Sequence, residues 1–160
     1  MRKAGERISA IKKILVPTDF SPPSEQAVRY AAMMAKRFKA QLILLHVNEP
    51  YPYSVTDSMV LVDHSRALKK IAERLLAGQR DRIASQGLRV MAHLAVGSPY
   101  QEIIRRAKRD RVQLIVVGTH GRTGVEHLLL GSVAERIVRL APCPVLTVQA
   151  SSPSGGRKRS

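Results

Sequence analysis

Five short apolar runs punctuate the chain, and between them apolar residues return at helical spacing. The runs are Ile14 to Val16, ended by Pro17; QLILLHV at 41–47; LRVMAHLAV at 88–96, which alternates in part; Val112 to Val117, interrupted only by Gln113; and VLTV at 145–148. Near-continuous apolar runs bounded by turns suit parallel strands buried on both faces. Ala27, Ala31, Met34 and Phe38 predict an amphipathic helix over 22–39, with Ser21 as N-cap, Pro22 in the first turn and Glu25 as an early acid. Leu68, Ile71, Leu75, Leu76 and Ile83 mark a long second helix, stopped near Gly87. Ser98, Pro99 and Glu102 open a third, whose apolar face is Ile103, Ile104 and Ala107. Val133, Ala134, Ile137, Val138 and Ala141 form the inner face of a fourth, which starts near Ser132 and stops at Pro142 and Pro144. Residues 48–62, with Pro50, Tyr51, Pro52, Tyr53 and Asp57, read as a long loop. The order β-α-β-α-β-α-β-α-β predicts an α/β fold: a parallel sheet with helices on both faces.

Composition narrows this picture. At 160 residues and 44% hydrophobic, the chain supports one domain with a substantial core. No run approaches the ~20 apolar residues of a membrane span. The single Cys143 excludes an intramolecular disulfide and a cysteine-built metal cluster. A soluble, cytoplasmic protein is expected. Aromatics make up only 4% with no Trp, which weakens any reading based on base stacking. The formal net charge of +15 is unusual. Residues 1–13 contribute +4 and residues 157–159 contribute +3, leaving +8 for the rest. Such a balance favours anionic partners such as nucleotide or nucleic acid, although a solvated basic surface also accounts for it. Residues 1–11 and 150–160 read as basic tails flanking a domain at 12–149.

The candidate chemistry gathers at residues 112–140. The fourth strand runs into a loop bearing Gly118, Gly121 and Gly124, and Gly131 and Ser132 then precede a helix. Strand, glycine loop and helix start are the parts of a phosphate cradle: glycine lets backbone N–H groups approach an anion, and the helix adds unpaired donors and the positive end of its dipole. The Walker pattern is absent, since no lysine stands beside Gly131 and Ser132. The dinucleotide fingerprint is absent too. Blander roles exist for each residue. Asp19 could cap the helix after it, the glycines could serve a tight turn, and Arg122 could be a solvated charge. His46 reads as a core histidine and Cys143 as structural. His120 and His127 have no carboxylate or serine partner at a useful spacing, so no catalytic residue is assigned.

The spacing G-x2-G-x9-G-[ST], filled by Gly118, Gly121, Gly131 and Ser132, resembles that of the ATP-binding members of the universal stress protein family. KKILVPTDFS, LILLHV, VGSPYQEII and HLLLGSVAERIVRLAPCPVLTV resemble the family's blocks in order, so the likeness covers about residues 12–149. It implies a doubly wound five-stranded parallel sheet of order 3-2-1-4-5, of the adenine nucleotide alpha hydrolase-like kind. Strands one and four then lie side by side where the winding reverses, which brings Asp19 and Gly118 to one crevice. The resemblance further implies that Asp19, beside Thr18, bonds the ribose hydroxyls, and that Pro17, Val47 and Val117 wall the adenine. Gly118, Gly121 and Arg122 would run along the phosphates, and Gly131, Ser132 and Val133 would receive the outer ones. Mg²⁺ would ride on the phosphates of ATP (or ADP or AMP). The expected function is nucleotide-dependent regulation under stress with at most slow hydrolysis, and a homodimer is expected through the edge strand at 144–149. A basic nucleic-acid-associated protein and a slow ATPase or transferase are the alternatives.

Overall fold

The computed structural model describes residues 10–50, 58–119 and 130–149, the side chains of 58–64 excepted. Five strands, β1 (Lys13–Pro17), β2 (Gln41–Asn48), β3 (Val90–Val96), β4 (Leu114–Gly118) and β5 (Val145–Val148), alternate with four helices. The helices are α1 (Pro22–Phe38), α2 (Ser58–Ala84), α3 (Pro99–Asp110) and α4 (Ser132–Leu140). All strand pairs are parallel, in the order β3-β2-β1-β4-β5. The apolar runs of the three central strands mean what their pattern implied: Leu15, Val16, Leu44, Ile115 and Val116 are fully buried because the sheet is covered on both faces, whereas the edge strands β3 and β5 are only partly buried.

One layer of core joins Ile14, Val16, Leu42, Leu44, Leu114 and Val116 to α1 and α2, and the other joins Leu15, Ile43, Leu45, Ile115 and Val117 to α3 and α4. Adjacent residues of one strand feed opposite layers, as the period of two requires. Ala27, Ala31 and Ala35 stand one turn apart at zero exposure, so α1 presents a strip of small side chains that lets it lie close on the centre of the sheet.

Several details differ from the sequence pattern. α2 begins at Ser58, inside the stretch expected to be loop, and β2 extends to Asn48. The buried stripe of α2 is Ala72, Leu76, Gln79 and Ile83, while Ile71 and Leu75 are about half exposed. Phe38 and Val138 also lie at the surface rather than in the core. Gln79 is accepted into the buried stripe because its amide donates to Glu25 Oε1 at 2.7 Å, and Arg82 closes the other carboxylate oxygen at 2.9 Å.

Two helix ends are unusual. α1 stops at Lys39 (φ 53°) and α3 at Arg111 (φ 52°), both left-handed, and each cap N–H turns back to carbonyls of the last turn. Glycine is the ordinary residue here; an L side chain costs about 1–2 kcal/mol in this conformation.

Candidate functional site

The β1–β2 ladder runs from Lys13↔Gln41 to Pro17↔Leu45, but the β1–β4 ladder ends at Leu15↔Ile115. β1 and β4 therefore part at their carboxyl ends, where the winding direction reverses. This is where open parallel sheets hold ligands. Pro17, Thr18 and Asp19 leave β1 at this crevice, and Val117 and Gly118 close β4 beside it. Val47 packs, partly buried, on the same layer as Val117. Gly131, Ser132 and Val133 form the start of α4. Gly121 and Arg122 lie outside the described residues, as do His120, Gly124 and His127.

The turn from β1 into α1 is tightly wired. Thr18 is buried; its N–H donates to Leu45 O at 2.9 Å and its carbonyl accepts from His46 Nδ1 at 2.7 Å. A carbonyl only accepts, so Nδ1 carries the proton. The other nitrogen, Nε2, lies 2.9 Å from the Asn48 side chain, and the ring packs against Phe20 with centroids 4.6 Å apart and planes tilted by 32°. His46 is thus the core histidine its apolar setting implied. Phe20 sits at φ 63°, a conformation a bulky residue adopts only under constraint. Its N–H donates to Thr18 Oγ1 at 3.2 Å. The Ser24 hydroxyl donates to Ser21 O, so the Thr18 hydroxyl is the donor in the 3.4 Å contact between Thr18 and Ser24.

Asp19 does cap this turn. Its Oδ1 accepts from Ser21 N–H at 3.0 Å and from the Ser21 hydroxyl at 2.5 Å. A carboxylate has about four acceptor positions. Oδ2 has no hydrogen bond to any described residue, so capping uses only one of the two carboxylate oxygens. The N-terminus of α1 itself has no spare donors: Pro22 and Pro23 have no N–H, Ser24 N–H donates to Ser21 Oγ, and Glu25 N–H donates to Ser21 O.

α4 is the opposite case. Its N-cap is Gly131, with no side-chain cap, and the first helical bond is Glu135 N–H to Gly131 O at 2.9 Å. The N–H groups of Ser132, Val133 and Ala134 have no acceptor among the described residues. They supply the donors and the positive dipole end that an anion requires. Gly131 N–H is already committed, 2.6 Å from Thr119 O, while Thr119 N–H donates to Val148 O at 2.9 Å. Thr119, which its sequence context did not single out, therefore pins the start of α4 to the ends of β4 and β5. Gly118 has a packing reason to be glycine: a Cβ there would stand 3.0 Å from the carbonyl carbon and oxygen of Pro23. The first turn of α1 presses against the end of β4 at this point.

Away from the crevice, Ser98 occupies the N-cap position of α3 without a side-chain cap bond. Cys143 is half-buried against the α3–α4 layer, and burial pushes its thiol pKa up, partly opposed by a hydrogen bond from the Ile115 backbone. That environment suits a packing role.

A doubly wound sheet that opens between its first and fourth strands defines the class of this fold. Within that class, the Universal stress protein family model matches residues 10–149. A universal stress protein of Methanocaldococcus jannaschii is 36% identical over 141 residues, covering 86% of this chain and 82% of that one. The solved structure of universal stress protein UspA from Lactobacillus plantarum is similar with a TM-score of 0.80 at 26% identity, over 88% of this chain and 99% of that one. A universal stress protein crystallised in complex with cAMP has a TM-score of 0.68 at 26% identity, over 89% of this chain and all of its own. This chain belongs to the universal stress protein family.

Proposed function

We propose that this protein binds an adenine nucleotide, ATP or its ADP and AMP relatives, across the crevice between β1 and β4. It acts as a cytoplasmic, nucleotide-dependent regulator in the stress response. The observation that carries the proposal is the N-terminus of α4, whose first N–H groups have no acceptor among the described residues and which is held at the end of β4 by the Thr119–Gly131 hydrogen bond. The glycine spacing on either side of it and the cAMP bound to a related protein support the same reading.

Asp19 accepts from the ribose hydroxyls through Oδ2 while Oδ1 stays with Ser21. Pro17, Val47 and Val117 wall the adenine, and the Val47 main chain reads its edge. Thr18 acts from beneath, holding the turn in place. Gly118, Gly121 and Arg122 follow the phosphates. The outer phosphates meet the N–H groups of Ser132 and Val133 and the Ser132 hydroxyl. Gly131 contributes shape rather than a donor, since its N–H is already used. Mg²⁺, a hard cation, rides on phosphate oxygens and water. A site without a Walker lysine or a positioned base holds a nucleotide better than it cleaves one, so hydrolysis is slow at most. A second copy adds its β5 to the outer side of this β5, through residues 144–149, because the strand ends the sheet with unpaired backbone groups. Light scattering at micromolar concentration should give the mass of a dimer.

At a nucleotide concentration of 100 times Kd, stability should rise by about 2.7 kcal/mol. For a domain of this size that is a Tm increase of roughly 5–10 °C. Asp19→Asn keeps the shape of the cap but removes the charged acceptor, and should weaken ATP about 10- to 100-fold. If ATP, ADP and AMP leave the Tm of the wild type unmoved, the reading fails.

A further inference from the structure

Among the described residues, the end of the sheet opposite the crevice gathers several cations that have no carboxylate partner. A groove of about 460 Å³ lies there, lined by Ala10, Ile11, Lys12, Lys13, Phe38, Lys39, Gln41 and Arg89. Four of these are cations and none is an acid. Lys13 Nζ rests 3.0 Å from Asp110 O, and Arg89 Nη2 is 3.3 Å from Lys39 O. Both are held by main-chain oxygens, and neither has a carboxylate partner among the described residues. Lys12 and Lys39 are exposed and have no ion pair among the described residues.

The last turns of α1 and α3 add Lys36, Arg37, Lys108 and Arg109 at this end. Arg111 joins the rim: its carbonyl accepts from the Gln113 side chain, whose oxygen accepts from the N–H groups of Lys12 and Lys13. Asp110, at this end of the sheet, is bound by Arg106. Cations near helix C-termini do relieve the dipole there. That need does not account for Lys39 and Arg111. Both occupy left-handed positions where glycine would be unstrained; Lys39 lines the groove, and Arg111 is an exposed cap residue of α3 at the same end of the sheet. Among these charges the Phe38 ring is 45% exposed at the groove.

A basic groove around one open aromatic ring matches a single nucleic-acid strand: phosphates meet the cations and a base stacks on the ring. A low aromatic content does not exclude this, because one platform serves one base. We infer that this face binds single-stranded nucleic acid, at the opposite end of the sheet from the nucleotide crevice and independently of it.

The test is fluorescence anisotropy of the full chain with a labelled oligothymidylate of roughly 15 nucleotides, beside a duplex of equal length. With about four phosphates engaged, affinity for the strand should fall about fifty-fold between 50 and 200 mM salt. The double variant K39G/R111G removes two charges while relieving two strained positions. Its Tm should be unchanged or raised, yet its affinity for the strand should drop at least tenfold and its salt slope should flatten. Phe38→Ala should cost about tenfold for the strand and little for the duplex. In both variants the Tm increase given by ATP should match the wild type. Wild-type affinity in K39G/R111G, with loss only on deleting residues 1–9, would overturn the inference. So would equal binding of strand and duplex with Phe38→Ala silent, or retention on phosphatidylserine vesicles without affinity for the strand.

Discussion

Two helices begin at the crevice between β1 and β4, and their N-termini are built in opposite ways. α1 opens with two prolines and a serine cap, so every donor of its first turn is absent or paired. α4 opens with glycine, and three N–H groups point out of its first turn unpaired among the described residues. Both helix starts carry the positive end of a dipole, but among the described residues only that of α4 has hydrogen bonds left to give. A helix start is thus an anion site only when its cap leaves donors uncovered. In the proposed site α1 contributes through its cap instead: Ser21 bonds one oxygen of Asp19, and the other has no partner among the described residues.

Covering the bare end should give the largest effect. Gly131 has φ −70° and ψ 157°, a conformation open to any residue. Gly131→Asp places a capping carboxylate over the donors of Ser132 and Val133. Stability without ligand should rise by about 0.5–1 kcal/mol from the cap and the dipole. ATP affinity should fall about a hundredfold, or about 2.7 kcal/mol, because the donors are occupied and the new charge repels phosphate. Gly131→Asn, which caps without charge, should fall between. Urea denaturation and calorimetric titration read the two quantities separately. An aspartate variant that binds ATP like the wild type would show that the α4 donors do not meet the phosphates.

The reciprocal change should act on stability rather than on binding. Ser21→Ala strips the cap from α1 and should cost about 1 kcal/mol in urea denaturation. Asp19 keeps the Ser21 N–H, so ATP affinity should stay within roughly threefold of the wild type. A large loss of affinity would mean that the Ser21 hydroxyl, and not only the backbone, aims Asp19.

This contrast between helix starts was partly legible from residue types. Ser21, Pro22 and Glu25 announce a capped helix, and the fully buried Leu15, Leu44 and Ile115 announce strands covered on both faces. What failed depended on distant partners. Ile71 and Leu75 have the right spacing for a buried stripe, but Gln79 takes an inward place because Glu25, 54 positions away, accepts a hydrogen bond from its amide. Phe38 satisfies the period of α1 yet ends beyond the sheet, at a surface groove. The glycine stop rule cannot find Lys39 or Arg111, because neither is glycine. Local pattern offered Asp19 two separate roles, capping or ligand binding, whereas Oδ1 caps and Oδ2 is left over. The pairing of β1 with β4 came from family resemblance, since strands whose paired residues stand 100 positions apart leave no periodic trace in either one.

α3 adds a third helix start to the comparison, and yields the smallest effect. Its N-cap Ser98 makes no side-chain bond; Glu102 folds back beside Gly97 and pairs with Arg105. The helix is also tied to the edge strand β3. Arg106 donates to His93 Nε2 and, at 2.5 Å, to Asp110 Oδ2. Arginine has no acceptor, so this contact requires a neutral imidazole. Burial, then the charge of Arg106, lowers the His93 pKa, with Asp110 opposing. The unfolded chain therefore takes up a proton near pH 6.5 that the folded chain still refuses. The tie is at full strength above pH 6.5 and weakens as pH falls through 6.5 toward the lower folded value. One proton limits the slope to about 1.4 kcal/mol per pH unit. Urea denaturation at several pH values from 7.5 to 5.5 should show the wild type losing stability faster than His93→Gln. The starts of α1 and α4 contain no histidine, so the Tm increase from a saturating nucleotide should differ little between the two proteins. A wild type and variant that fall in parallel with pH would show that α3 is not held by a neutral His93.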